Sequence, residues 1–449
     1  MRNILVFGAG RSATVLIDYL LKEAQRHDWH VTVADADLTL ARSKVNDHAK
    51  GEAVKINIKN ASKRRHLIDN ADVVISLLPV TLHYLVVKDC IKHKKHIVTA
   101  SYLTREMYGL SAAIKDAEII MLGEMGLDPG IDHMSAMEMI QKIKDQGGKI
   151  TSFKSFTGGL IAPEYDDNPW HYKFTWNPRN VVLAGQGTSQ FLLKGKKKYV
   201  PYNRVFLNTE EIDVPGLGKF EAYANRDSLF YQNIYGLEDI PTLIRGTFRA
   251  PGFCKAWNAF VKLGWTDDTY PIVNSENLTY REFLESYLFG AMAEYPKGYS
   301  LHHRLADFLQ LSVDDPVMEK LEWLGIFEEK KIALHNATPA MILLELLLQK
   351  WSLKEGDKDM VVMQHEFEYE LRGKNIRLTS SMVIEGDDQQ RTAMAKLVGL
   401  PLGIFVKLML EGKIKKIGIH LPVIPEIYEP VMKELRTMDV KFVEEEREV

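Results

Sequence analysis

Two cysteines, Cys90 and Cys254, are all the thiol that 449 residues carry, which excludes a disulfide framework and a cysteine-built zinc site. Both fall in apolar, helix-like stretches and read as buried thiols. An excess of one charge is also missing: 57 Lys and Arg stand against 60 Asp and Glu, a formal net charge of −3. With its basic residues spread along the chain, the sequence has no nucleic-acid footprint, and the run Lys194–Lys198 (KGKKK) reads as a solvated turn. No apolar run reaches the roughly 20 residues of a membrane helix. The opening MRNILVFGAG is superficially like a signal peptide, but its apolar run is short and cut by glycines. Repeats and low-complexity segments are absent as well. The expectation is a cytoplasmic protein with no metal, no membrane and no nucleic-acid partner.

What is present is regular alternation. A chain of this length exceeds one ordinary core and predicts two or three domains. Over the first 125 residues, continuous apolar runs recur at Ile4–Phe7, Val31–Ala34, Ala53–Ile58, Val73–Leu78, Ile97–Ala100 and Ile119–Leu122. Unbroken hydrophobicity marks strands covered on both faces. Helix-like segments separate them; in the first, Ala13, Leu16, Ile17, Leu20, Leu21 and Ala24 share one face. Such repetition implies right-handed crossovers and an α/β fold with a Rossmann-type, doubly wound parallel sheet.

Ligands of these sheets bind beyond the carboxyl ends of the strands. After the first strand, Gly8-Ala9-Gly10-Arg11-Ser12-Ala13 spells G-x-G-x-x-A. Gly8 permits a tight turn, Gly10 lets a pyrophosphate approach the backbone, and Ala13 lets helix and sheet pack closely. The helix N-terminus behind them offers N–H groups to phosphates. Asp35 ends the second strand, with Ala36 next to it. Its carboxylate accepts from a ribose diol and repels a 2′-phosphate, which predicts NAD; Asp37 adds negative charge. Arg11 and Arg42 are the residues through which NADP would be accommodated. The fourth strand ends SLLP (Ser76–Pro79), the fifth TASY (Thr99–Tyr102) and the sixth GEMGLDPG (Gly123–Gly130). Leu77, Leu78, Pro79, Thr99 and Ser101 therefore join the cofactor candidates, although Pro79 serves equally as a strand terminator. His83, on the following helix, reads as structural.

Asp132 reads as the cap of a helix over Met134–Lys144. The chain then changes character. Extended segments are expected at Ile150–Phe156, Tyr199–Leu207 and Thr242–Thr247, with an aromatic-polar loop, DDNPWHYKFTWNPRN, among them. Val361–Leu371 and Ile376–Ile384 read as a hairpin with Gly373 and Asn375 in the turn. Thr338-Pro339 opens a helix. From Gln389 to Glu411 a helical stretch returns, interrupted at Gly399–Pro401. The expected organisation is a dinucleotide domain over 1–125, completed by 389–449. A second α+β domain with a mixed or antiparallel sheet and attached helices spans 126–388.

Taken together, GAGRSA, SLLP with His83, KKHIVTASY, GEMGLDPGIDHM, GGLIAPE with DNPWHYKFTW, YANRDS and RGTFRAPGF resemble the L-glutamate-forming saccharopine dehydrogenases over nearly the whole chain. The resemblance implies reversible conversion of saccharopine, nicotinamide cofactor and water into L-glutamate, 2-aminoadipate 6-semialdehyde and reduced cofactor, in lysine metabolism. Saccharopine carries three carboxylates, so its site needs fixed guanidinium groups. Arg226 and Arg245 match motif positions, with Gly246 and Thr247 beside Arg245. Ser101, Tyr102, Glu124 and Asp128 complete the implied substrate set, with Asp128 and Tyr102 as acid–base candidates. A homodimer through the second domain is expected. Two departures stand out. Fungal members often carry Cys where this chain has Thr157, so a catalytic thiol there does not apply. They also tend to place Arg where this chain has Asp35–Asp37, which again points from NADP to NAD. The alternatives are a related imine reductase of polyamine synthesis and a non-catalytic dinucleotide-binding protein.

Overall fold

A computed structural model describes residues 1–184, 186–288 and 298–449. The chain forms two compact units. The first comprises Met1–Ile150, Asn233–Leu237 and Phe367–Val449, the second Thr151–Gln232 and Glu238–Glu366. This division differs from the expected boundaries at 125 and 388 because helix Ile131–Asp145 packs on helix Pro425–Thr437. Arg436 pairs with Glu138 across that contact.

In the first unit, β1 (Arg2–Phe7), β2 (Trp29–Asp35), β3 (Gly51–Lys55), β4 (Val73–Ser76), β5 (His96–Thr99) and β6 (Ile120–Leu122) lie in one parallel sheet. Its order is β6-β5-β4-β1-β2-β3, extended beyond β6 by the parallel C-terminal strand Gly418–His420. The order reverses between β1 and β4, which opens the crevice where such sheets receive ligands. All six expected strands are present within a few residues. Burial explains them: Val6, Val31, Val33, Val73, Val74 and Val98 are fully enclosed, each apolar side chain contributing on the order of 1.5–3 kcal/mol.

Helix Thr14–Arg26 buries Leu16, Ile17, Leu20, Leu21 and Ala24. It packs against helix Ala393–Leu410. At Gly399 a Cβ would come within 2.7 Å of the Leu16 nitrogen, and at Gly403 within 2.5 Å of the Tyr19 ring, so the close approach requires both glycines. Helix Ala393–Leu410 runs unbroken through Pro401, where the sequence suggested an interruption. It is also long and apolar enough to cross a membrane by length and composition, contrary to expectation, yet 67% of it is buried within the fold.

In the second unit, β7 (Lys149–Ile161), β8 (Ser189–Leu193), β9 (Lys196–Val200), β10 (Thr209–Val214), β11 (Gly218–Ala224) and β12 (Thr242–Arg249) form a mixed sheet. β10, β11 and β12 run antiparallel, and β12 pairs parallel with β7. β8 joins β12 and turns into β9 through Lys194-Gly195, both with positive φ. The KGKKK run is therefore a hairpin turn leading into an exposed strand. The extended segment expected at Tyr199–Leu207 ends at Val200, where Pro201 starts the short helix Tyr202–Val205.

One face of this sheet is apolar, with Phe156, Phe220, Ala222, Ile244 and Phe248 in its core. A larger helical core gathers Trp170, Trp257, Trp265 and Trp351. The expected aromatic-polar loop is part of that core. Trp170 donates its indole N–H to the Lys320 carbonyl, and the Phe174 N–H bonds the Trp351 carbonyl. Lys173 is enclosed between Asp357 at 2.8 Å and Asp167 at 2.9 Å. The hairpin is formed by Asp359–Leu371 and Lys374–Glu385, its turn at Arg372-Gly373, so Asn375 already belongs to the strand. Thr338 caps helix Pro339–Trp351 as the sequence indicated.

Candidate active site

The cofactor candidates converge at the carboxyl ends of β1, β2, β4 and β5. Gly8 has φ +103°, and a Cβ there would meet the Leu77 carbonyl at 2.9 Å, so the turn closes against the end of β4 only with glycine. Gly10 differs: a Cβ on it would meet no protein atom within 4 Å. Its smallness is not demanded by the fold's own packing. Arg11–Ala13 form one turn of 3₁₀ helix before Thr14–Arg26 begins, a tighter entry than a plain α-helix.

Asp35 is tied to that turn. Its Oδ2 accepts the Ala9 N–H at 2.7 Å and its Oδ1 the Asp37 N–H at 2.9 Å. Each carboxylate oxygen retains a further lone pair. Asp37 is the cap of helix Leu38–Val45, accepting from Thr39 and Leu40. Next to Asp35, a cavity of about 390 Å³ is lined by Ala36, Lys55, Ile56, Asn57, Ile58, Lys59 and Leu82.

At the ends of β4 and β5 a buried relay appears. Ser76 Oγ lies 2.8 Å from His83 Nδ1, and His83 Nε2 lies 2.9 Å from Ser101 Oγ. Burial holds the His83 imidazole down to a pKa of about 4, so the ring is neutral and bridges the two hydroxyls. Ser101 is further fixed by its N–H to Thr99 Oγ1 at 3.1 Å. Pro79 caps the helix Val80–His93 that carries His83.

The turn after β6 is bonded to the end of β5. Glu124 N–H donates to the Ser101 carbonyl and Met125 N–H to that of Thr99, each at 3.1 Å. Gly130 has φ +148°, and a Cβ would lie 2.0 Å from the Gly126 carbonyl. Asp132 is not the helix cap. Helix Ile131–Asp145 begins one residue earlier, and Asp132 turns back to accept the Gly130 N–H at 2.6 Å.

The two leading acids of this turn part company. Half-buried Asp128 accepts from Tyr102 Oη at 3.3 Å, which unites the two acid–base candidates. Glu124 is 1% exposed, and its carboxylate meets His133 Nε2 at 2.9 Å; His133 Nδ1 lies 2.7 Å from Tyr235 Oη. Sequence reasoning expected Glu124 at substrate and did not single out His133 or Tyr235. The adjacency of His133 to the motif in GIDHM was the available signal; Tyr235 had none.

Arg226, Arg245, Gly246 and Thr247 lie in the second unit. Arg226 sits in the loop after β11 with φ +53°, its carbonyl accepting the Gln190 N–H. Arg245 is buried on β12 with its guanidinium 4.3 Å from the Tyr231 ring centre. Gly246 abuts the Tyr223 carbonyl, 2.5 Å from where a Cβ would stand. Thr247 pairs with Thr157 of β7 and Tyr223 of β11.

The reversed-order parallel sheet, its glycine turn and the acid ending β2 define a Rossmann-type α/β protein with a second, mixed-sheet unit. Residues 4–122 match the family profile described as saccharopine dehydrogenase NADP binding domain, and residues 126–440 that of the saccharopine dehydrogenase C-terminal domain. The chain belongs to the saccharopine dehydrogenase family. It is 36% identical over 98% of its length to the mitochondrial alpha-aminoadipic semialdehyde synthase of Rattus norvegicus, of which it spans 47%. Thus the chain covers about half the length of some curated relatives. It is 35% identical to the saccharopine dehydrogenase [NADP(+), L-glutamate-forming] of Saccharomyces cerevisiae, covering 97% of both chains. The solved structure of apo saccharopine dehydrogenase (L-Glu forming) from that yeast superposes with a TM-score of 0.87 at 32% identity, covering 100% of each chain.

Proposed function

We propose that this chain is an oxidoreductase acting on the CH–NH group of saccharopine, reversibly giving L-glutamate and 2-aminoadipate 6-semialdehyde with a nicotinamide dinucleotide, and that it prefers NAD. The full-length likeness to the yeast dehydrogenase carries the reaction; the carboxylate of Asp35 carries the cofactor preference. The residues present fit a dinucleotide. Unobstructed Gly10 and the helical entry at Arg11–Ala13 suit a pyrophosphate. The apolar-lined cavity beside Ala36 suits an adenine, and Asp35 keeps lone pairs for ribose hydroxyls. When bound, the nicotinamide supplies the hydride acceptor.

The chain's own residues then position groups and move protons. Asp128 is the proposed base toward the bridging nitrogen and the attacking water. The Tyr102 hydroxyl donates to its carboxylate and fixes its direction. Neutral His83 orients the Ser101 hydroxyl toward substrate. Arg226, Arg245 and Thr247 are the proposed carboxylate-binding groups. Glu124 is assigned to holding the turn through His133 instead of touching substrate. Steady-state formation of reduced cofactor from saccharopine, with NAD and NADP in parallel, tests the reading. Turnover with NAD the faster is expected; no turnover with either rejects the reaction, and faster NADP turnover rejects the preference.

A further inference from the structure

Two helices of the first unit share a buried ion pair that the chemistry of the site does not use. Arg64, on helix Ala61–Asp69, is 4% exposed, and Asp89, on helix Val80–His93, is 3% exposed. The Arg64 Nε–H donates to Asp89 Oδ2 at 2.7 Å. Arg65 adds its own Nε–H to the other carboxylate oxygen at 2.9 Å, from a more exposed side chain. Apolar side chains of similar volume would stabilise the contact between these helices about as well. What they could not do is reach the backbone, and Arg64 does: its Nη1 donates to the Ile58 carbonyl at 2.5 Å.

Ile58 belongs to the loop between β3 and helix Ala61–Asp69, which supplies Ile56, Asn57, Ile58 and Lys59 to the lining of the cavity next to Asp35. The loop's own bonds are short-range. The Asn57 side chain accepts the Lys59 N–H at 3.0 Å, and the Asn57 carbonyl accepts the Asn60 N–H at 2.8 Å. At its start the Ile56 N–H is held by the Asp35 carbonyl at 2.8 Å, and the exposed Lys63 ammonium reaches the Lys55 carbonyl. These bonds shape the turn and fasten it to the end of β3; they do not set how far it stands from helix Val80–His93. Leu82 on that helix lines the same cavity, two helical turns before Asp89. The connection Ile58–Arg64–Asp89 thus runs from the loop that lines the cavity to the helix that also lines it.

We propose that Arg64 and Asp89 are positioning residues for the adenosine end of the dinucleotide. They hold loop 56–59 at a fixed distance from helix Val80–His93 and so set the width of the cavity, without touching the cofactor. Arginine suits the task because its planar fork bonds a carboxylate and a carbonyl in fixed directions, whereas an ammonium on a flexible stem fixes neither. The proposal deepens the cofactor reading and rests on it for the identity of the ligand.

The test titrates the full chain with ADP-ribose, which carries the adenosine end without the nicotinamide, in wild type, Arg64→Met, Arg64→Lys and Arg65→Met. In R64M the Asp89 carboxylate keeps Arg65, so its charge is not stranded, but Ile58 loses its donor. R64M should bind ADP-ribose about tenfold more weakly, near the lower end for a hydrogen bond to a charged group. Its KM for the dinucleotide should rise by a similar factor, while kcat at saturating cofactor and the KM for saccharopine should not move. R64K should recover part of the loss, and R65M, which leaves the Ile58 bond intact, should bind like wild type. A lowered melting temperature in R64M with ADP-ribose affinity intact would make the pair purely structural and overturn the proposal, as would an equal loss of affinity in R65M. If R64M is insoluble, hydrogen exchange on unliganded R64K decides: amides of residues 56–60 should exchange faster than in wild type and those of β4 should not, and unchanged exchange in the loop overturns the proposal. A wild type that does not bind ADP-ribose removes the adenosine subsite and the proposal together. ADP-ribose binding that depends on Arg64, in a chain that turns over no saccharopine, would keep the positioning role and reject the saccharopine reading.

Discussion

Replacing Asp35 by Asn separates two roles of one carboxylate. Because Asp35 holds both the Ala9 and Asp37 N–H groups, Asp35→Ala would loosen the glycine turn and weaken either dinucleotide. Asparagine keeps the side chain's shape and one carbonyl acceptor while removing the charge. The 2′-phosphate of NADP carries about two negative charges. At about 6 Å from the carboxylate, in a medium with the dielectric of water, the repulsion is about 1.4 kcal/mol, and an effective dielectric near 20 raises it to about 5.5 kcal/mol. The lower figure already corresponds to about tenfold in affinity. D35N should therefore lower the ratio of kcat/KM for NAD over NADP by about tenfold or more, chiefly through a lower KM for NADP. The assay is steady-state reduction of each cofactor at saturating saccharopine, repeated as salt is raised, since screening should shrink the change in the NADP term. An unchanged ratio in D35N, or a wild type that already favours NADP, would refute the argument and leave Asp35 as a tie for the turn alone.

Two further outcomes follow from buried groups. Burial holds His83 at a pKa of about 4 against the usual 6.5, so between these values the unfolded chain binds more protons than the folded one. The His83 contribution is thus full above pH 6.5 and falls by about 3 kcal/mol as the pH drops to 4. His83→Asn should remove that part of the slope in urea titrations across pH, and parallel wild-type and variant slopes would exclude it. Lys173→Met should destabilise by about 3–5 kcal/mol, since it strands the buried Asp357 carboxylate. The double change with Asp357→Asn should recover part of this, and a loss under about 1 kcal/mol in the single variant would show the pair to be dispensable.

The parallel sheet was legible because both faces of its strands are covered, which writes continuous apolar runs into the chain. The glycine turn was legible for a similar reason: few residues satisfy φ +103° against the Leu77 carbonyl. Helix Ala393–Leu410 was misread at Gly399–Pro401 because glycine and proline are ordinarily breakers. Here Gly399 is required by contact with Leu16, and tertiary packing overrides local propensity. DDNPWHYKFTWNPRN looked like a loop since its polar residues hide a core role. Lys173 enters the interior only because Asp357, far away in sequence, comes to meet it. A long-range partner of this kind leaves no local pattern.

Glu124 and Asp128 show where sequence reasoning about a site runs out. They stand four residues apart in one motif, both acids, both beyond the end of a central strand, and nothing in their spacing distinguishes them. The backbone does. Glu124 adopts φ +57°, an uncommon conformation for a side chain with a Cβ, and its N–H is bonded to the Ser101 carbonyl while its carboxylate meets His133 on the following helix. Asp128 stays half-exposed beside the Tyr102 hydroxyl. The Glu124 N–H and carboxylate bond the turn to β5 and to the following helix, whereas Asp128 accepts from the Tyr102 hydroxyl. The difference between the two acids thus depends on a backbone angle and a buried histidine, neither of which the spacing of acids in the motif encodes.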